Sequence, residues 1–312
     1  MANKHAVNVA ITDVTLREYG QNVKKEHLDL FTPDIRSEIA LSLIDAGFKS
    51  IEVFSCVNPQ VAPSMNEVHL KKVIRSLGKI DEVNLITLVP NKAGFENFLH
   101  LNLGPDGYNH TMALFFSAIE SHNLANLGRS ISETIHEYKS IADKAASKHI
   151  RIIGYLSAAF GYLEHKTYKM IKADVTDLTA YIDILFDLGA ETVTLSDLQG
   201  VADEKETKRL LEAILNKRNG KDIHRLGYHP HHTSDERAMS NSMAVYDIGI
   251  RRFDASLGGT GGCITGAPGN QPTEQLVQKF AESGIDTGID GKKVTKLAEQ
   301  LKKELYSKIE IA

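Results

Sequence analysis

His229 and His231 stand two residues apart at the end of a short apolar run, 226–228, that reads as a β-strand. Side chains two apart in an extended chain share a face, so both imidazoles can reach one ion. Pro230 between them lacks an N–H and suits the last residues or the edge of a strand. Two imidazoles joined by oxygen ligands suit a divalent cation, with Mg²⁺ or Mn²⁺ first and Zn²⁺ or Co²⁺ as alternatives. A pair of structural histidines at a strand end fits the same spacing, so the weight of the pattern depends on what else gathers there. Glu18 is the carboxylate candidate for the same ion, and a solvated charge is its alternative reading. His232 points away from the pair if the strand continues, and reads as supporting or structural.

Arg17, next to Glu18, keeps its charge at all working pH and offers several fixed donors. It can stabilise an oxyanion or enolate forming beside a cation. A salt bridge to Glu18 or Asp13 is the competing reading. A loop follows at 257–270, with glycine at 258, 259, 261, 262, 266 and 269. Such a segment is tightly turned or mobile, and its backbone can approach a ligand. It is neither a dinucleotide fingerprint nor a P-loop, because Ile264 stands where the third glycine belongs and no Gly-Lys-Ser/Thr occurs. Cys263 in this loop can move a proton, since a thiol titrates near neutrality. Asn270 can lend a neutral oxygen to a metal or cap the next helix. Glu52 and Asp197 fall at strand ends, where a charge is costly unless paired. Each can hydrogen-bond Arg17, a histidine or a substrate, or form a buried ion pair.

These groups need a frame. Short β-branched runs at 9–13, 50–54, 83–88, 111–116, 150–155, 192–196, 225–229 and 252–255 alternate with longer amphipathic stretches. Thr32-Pro33-Asp34 gives a cap and an N1 proline, and Gly47 closes that helix. Ser130 and Glu133 form a capping box. Val175, Leu178, Ile182, Leu185 and Phe186 make one apolar stripe ended by Gly189. Eight β-then-α units predict a (β/α)₈ barrel over 1–290, with a helical, Lys-rich extension over 291–312. An open doubly wound sheet is the alternative, because strand number alone does not close a barrel. The chemically capable residues fall just after the strands, which in such barrels is the rim that carries the site.

The 312 residues hold 42% apolar and 24% charged side chains, as in an ordinary soluble domain. A net charge of −4 gives no reason to expect nucleic acid or an anionic membrane as partner. Two distant cysteines, Cys56 and Cys263, make no disulfide framework and point to a reducing compartment. No apolar leader and no 18-residue apolar run occur, so a cytoplasmic protein is expected.

Six stretches together resemble the 3-hydroxy-3-methylglutaryl-CoA lyases, within the wider group of metal-dependent lyase and Claisen-type barrels. They are 13–22 (DVTLREYGQN), 51–59 (IEVFSCVNP), 154–157 (GYLS), 195–200 (LSDLQG), 229–233 (HPHHT) and 259–270 (GTGGCITGAPGN). The resemblance covers nearly the whole chain. It implies a (β/α)₈ barrel, a divalent cation and C–C bond cleavage in an acyl-CoA; a homodimer is a separate expectation that the sequence does not fix. By it, His229, His231 and Asn270 match metal ligands, and Glu18 stands where the family has Asp. Arg17 matches the residue that stabilises the enolate, Cys263 the catalytic thiol, and Glu52 and Asp197 acidic site positions. Gln21 and Asn22 match the segment that faces substrate. The chain departs from the family pattern at Glu18, Tyr19 and His232, in Asp197-Leu-Gln-Gly, and in the shortened segment after Cys263.

The reading implied is a metal-dependent lyase that cleaves a 3-hydroxyacyl-CoA, HMG-CoA first, to acetyl-CoA and acetoacetate. A Claisen synthase joining acetyl-CoA to a 2-oxo acid is the alternative. Those enzymes follow the His pair with Asn-Asp and carry Gly-Glu-Arg where this chain has Gly-Gly-Cys. A non-catalytic metal- or acyl-CoA-binding barrel is the third reading, kept open by Glu18 and Tyr19.

Overall fold

In the computed structural model, which describes residues 9–165, 167–233, 237–261 and 269–306, eight parallel strands close on themselves. They are β1 (Ala10–Asp13), β2 (Ser50–Ser55), β3 (Asn84–Leu88), β4 (Thr111–Ser117), β5 (Ile152–Ser157), β8 (Ala190–Asp197), β9 (Leu226–Pro230) and β10 (Arg252–Ala255). The ring order is β1-β10-β9-β8-β5-β4-β3-β2, so closure decides for the barrel over the open sheet. Each expected strand is present, with ends shifted by no more than two residues. The strands are buried on both faces, as parallel strands flanked by helices must be.

The helices are α1 (Thr15–Asn22), α2 (Pro33–Asp45), α3 (Glu67–Leu77), α4 (Lys92–His100), α5 (Glu120–Leu127), α6 (Ile131–Ser147), α7 (Val175–Asp187), α8 (Glu204–Lys217), α9 (Arg237–Ile248), α10 (Thr273–Glu282) and α11 (Gly291–Leu301). Local signals set their ends. The Thr32 hydroxyl accepts from Ile35 N ahead of Pro33, and the Ser130–Glu133 capping box is complete. Leu178, Ile182 and Leu185 turn the α7 stripe inward, and Gly189 ends it at φ +87°. Helix α11 is the expected C-terminal extension. It is tied to α2 where the Asp290 amide donates to the Ala46 carbonyl and Lys293 pairs with Asp45.

A two-stranded hairpin, β6 (Tyr162–Glu164) and β7 (Lys169–Ile171), interrupts the β5–α7 connection. Three-residue strands are too short for a period-2 pattern to register, and no reading of the sequence placed them. Among the described residues no helix is long and apolar enough to cross a membrane.

The inside of the barrel is divided. Ile86, Leu88, Ala113, Ile153 and Tyr155, from β3, β4 and β5, form one apolar cluster with Phe115 against it. Alternation places them on one face, and Leu88, Phe115 and Tyr155 reach the cavity at the mouth. The strands on the other side contribute Glu52, His229 and Asp254, all buried.

Candidate active site

A cavity opens at the C-terminal ends of the strands. One wall consists of Arg17, Glu18, Gln21 and Asn22 from α1 with His229 and His231 from the end of β9. The rest of the lining is largely apolar, with Leu88, Phe115, Leu198 and Tyr155, whose ring centroid lies 6.4 Å from that of His229, and includes His122 from α5.

The polar wall is fixed from behind. Helix α1 begins two residues after β1, so Arg17 and Glu18 lie in its first turns and not in a loop. Ser64 Oγ donates to the Gly20 carbonyl at 2.6 Å and accepts from buried Arg36 at 2.9 Å. A Cβ at position 20 would lie 2.0 Å from the Arg36 guanidinium, so any larger residue there must displace that buried side chain. Ser196 on β8 pairs in register with His229 on β9. The His231 amide donates to the Asp197 carbonyl at 3.0 Å.

His229 and His231 face each other, Nε2 to Nε2, at 3.3 Å. Nδ1 of His229 is 3.1 Å from Asp254 Oδ2. This fixes the ring so that Nε2 points inward. Burial alone would push the His229 pKa down, but the Asp254 carboxylate, with Glu18 behind it, holds it above the usual imidazole value. Asn270 bridges to His231. Its Nδ2 donates to the Thr260 carbonyl at 2.9 Å, and its buried Oδ1 has no hydrogen-bond partner.

Arg17 is clamped by two carboxylates. Its Nε donates to Glu52 Oε2 at 2.7 Å and its Nη1 pairs with Glu18. Burial works against the arginine charge, yet Glu18 and Glu52 outweigh it and hold the guanidinium firmly cationic. Burial would raise the Glu18 pKa, but Arg17, His229 and His231 together bring it below the usual carboxylate range. Glu52 is held above that range by burial, helped by Asp254 and opposed by Arg17.

The sequence-derived candidates therefore divide. Arg17, Glu18, Gln21, Asn22, His229 and His231 line one cavity, Asn270 adjoins it through His231, and Glu52 stands behind Arg17. Asp197 differs from expectation. Its side chain accepts from the amides of Val201 and Ala202, shaping the turn after β8, while its neighbours Ser196 and Leu198 line the cavity. Burial raises its pKa to about 6. His232 does not line the cavity. Cys263 lies outside the described residues, as does 262–268. Cys56 is buried and its thiol is pushed up to about 12, which leaves it inert at neutral pH.

Asp254 and Tyr155 escaped the sequence reading. The available signal for Asp254 was a charged residue inside the β10 run, one position before the strand end, facing the same interior as His229.

Among the described residues no three His, Cys, Asp or Glu side chains form a ready metal cluster. The residue types nevertheless fit a divalent cation. Two buried imidazoles converge, an amide oxygen lacks a partner, and Glu18 feels the charge of both histidines. A Cβ at Gly261 would meet both the Glu18 side chain and Asn270 Nδ2, so those two groups are neighbours.

Comparison with known proteins places this geometry. A match to the HMGL-like family spans residues 8–301. Hydroxymethylglutaryl-CoA lyase YngG of Bacillus subtilis is 28% identical over 296 residues, covering 94% of this chain and 93% of that protein. (R)-citramalyl-CoA lyase of Chloroflexus aurantiacus is 29% identical over 297 residues, covering 90% and 86%. The solved structure of an HMG-CoA lyase from Acinetobacter baumannii in complex with coenzyme A and 3-methylmalate superposes with a TM-score of 0.81 at 26% identity, covering 95% of this chain and 91% of that one. The match runs from two positions ahead of β1 to the last residue of α11, taking in the residues that line the cavity, and the chain belongs to the HMGL-like family.

Proposed function

We propose that this protein is a carbon–carbon lyase acting on a CoA thioester of a 3-hydroxy acid. HMG-CoA is the first candidate, and a citramalyl thioester the second, because one relative carries that name. The observation that carries the reading is the single cavity into which Arg17, Glu18, His229 and His231 all project.

His229, His231 and Asn270 would hold a divalent cation, Mg²⁺ or Mn²⁺ first, with Glu18 turning from Arg17 to join them. When bound, that ion supplies Lewis-acid polarisation of the substrate's carboxylate and hydroxyl oxygens. Asp254 keeps the His229 Nε2 lone pair directed inward. In cleavage the hydroxyl proton passes to an imidazole or carboxylate of the polar wall, the oxygen becomes a ketone, and the C2–C3 bond breaks to leave an enolate on the thioester half. Arg17 donates to that enolate oxygen, and Glu52 holds the guanidinium for it. Cys263 is assigned the proton that the enolate carbon takes up. Gln21 and Asn22 contact the acyl chain from α1. The apolar wall keeps water from the enolate. Lys24, just past α1, is an exposed cation available to the carrier's phosphates.

A cytoplasmic homodimer completes this reading, and size-exclusion chromatography with light scattering tests the dimer. The function is tested with a panel of branched 3-hydroxyacyl-CoA esters, each with Mg²⁺ and with Mn²⁺, read by mass spectrometry. Acetyl-CoA release from one or more members is the expected result. Release from none, under conditions where the ion binds, would leave the non-catalytic binding reading.

A further inference from the structure

His122 lines the cavity, is 1% exposed, and takes no part in the chemistry above. Neither of its ring nitrogens has a hydrogen-bond partner. The ring packs on Tyr162, centroid to centroid at 4.9 Å. Its position is held by the next residue. Asn123 accepts from the Ser117 amide at 2.9 Å and donates to the Arg129 carbonyl and the Thr134 hydroxyl. The turn that presents His122 is therefore fixed at both ends of α5.

Its place in the ring adds direction. Helix α5 follows β4, and β4 stands four strands from β10, directly across the barrel. Asn270 follows β10, while Glu18 and the histidine pair follow or end its two neighbours, β1 and β9. A ligand held by those groups and extending over the mouth meets His122 at its other end.

A buried imidazole with two unpaired nitrogens is unfavourable unless a bound molecule completes it. Burial keeps this ring neutral, pushing its pKa to about 4. One nitrogen then donates and the other accepts. A carboxylate, which only accepts, can pair with the N–H nitrogen alone. A hydroxyl or a secondary amide both donates and accepts, so it can pair with whichever nitrogen faces the cavity, in either tautomer.

We propose that His122 is a specificity-determining residue that reads an uncharged hydroxyl or secondary amide of the bound thioester, across the barrel mouth from His229 and His231. The inference rests on the function proposed above only in taking a CoA thioester as ligand. The group can belong to the acyl branch, as a hydroxyl on the C3 substituent, or to the amide-bearing arm of the carrier.

The test uses thioether analogues, which lack the carbonyl that cleavage needs, with the full chain and Mn²⁺ in calorimetry. Three probes are compared: a methyl-branched acyl chain on CoA, the same chain with a hydroxymethyl branch, and the methyl-branched chain on propanethiol. For an acyl-branch hydroxyl, the wild type favours the hydroxymethyl probe about tenfold, and His122→Phe erases the preference. For an arm amide, loss of the arm costs the wild type about tenfold more than it costs His122→Phe. His122→Gln, which keeps a donor and an acceptor, restores part of the affected ratio. His122→Phe removes an unpaired polar group and melts at or above the wild type. Should it not fold, His122→Ala carries the same comparison. If neither ratio changes by about fivefold or more, His122 is a packing residue and the proposal fails. Cleavage of true thioesters is assayed separately. A chain that cleaves none yet shows the ratio keeps this inference and loses the lyase assignment, and the converse pattern does the reverse.

Discussion

Asp254 Oδ2 and His229 Nδ1 lie 3.1 Å apart, both buried, on neighbouring strands and 25 residues distant in sequence. The carboxylate selects the tautomer that leaves Nε2 facing His231. Asp254→Asn keeps the shape and removes the charge. Mn²⁺ affinity measured by calorimetry is expected to fall about 10- to 100-fold. An unchanged affinity would show that the His229 ring is held by packing alone.

Arg17 carries a full charge against Glu18 and Glu52, and its planar fork lets one guanidinium meet both. Arg17→Lys keeps the charge and loses the fork. In steady-state cleavage of the thioester, kcat is expected to fall about 10²- to 10³-fold with KM within a few-fold. A loss confined to KM would reassign Arg17 to ground-state binding.

Gly261 sits at φ +87°, where a Cβ would lie 2.5 Å from Glu18 Cβ and 2.8 Å from Asn270 Nδ2. Gly261→Ala must move either the backbone or those two groups, at a cost of about 1–3 kcal/mol. Mn²⁺ binding should weaken about tenfold or more, while the far-UV circular dichroism spectrum stays that of the wild type. Full retention of Mn²⁺ affinity would separate Glu18 and Asn270 from the ion.

His110 is buried with Nδ1 2.9 Å from Thr87 Oγ1, and burial lowers its pKa from 6.5 to about 3. The unfolded chain takes up a proton there below pH 6.5 and the folded chain refuses it until about pH 3. Its contribution to stability is thus complete above pH 6.5 and is lost as the pH falls through that window. Asp13 acts in the opposite sense. Burial raises its pKa to about 7, so the folded chain retains a proton that the unfolded one releases. The difference between wild type and His110→Gln isolates the histidine. Between pH 7 and pH 5 the variant should lose about 2 kcal/mol less in urea unfolding. Parallel curves would mean that His110 is protonated in the folded state.

Much of this protein is decided by local chemistry. β-branched runs bounded by turns mark the eight barrel strands, and caps at Thr32 and Ser130 mark helix starts, because those signals act over a few residues. His229-x-His231 is legible for the same reason, since alternation along one strand puts both rings on one face. The tertiary structure decides what depends on which strands meet. Closure of the ring brings Asp254 to His229, divides the barrel interior into a polar and an apolar half, and sets His122 across from the histidine pair. It also turns Glu18 onto Arg17 and points the Asp197 carboxylate at the amides of its own turn. A strand order and a side-chain rotamer are chosen by contacts between residues far apart in sequence, and no local pattern carries them.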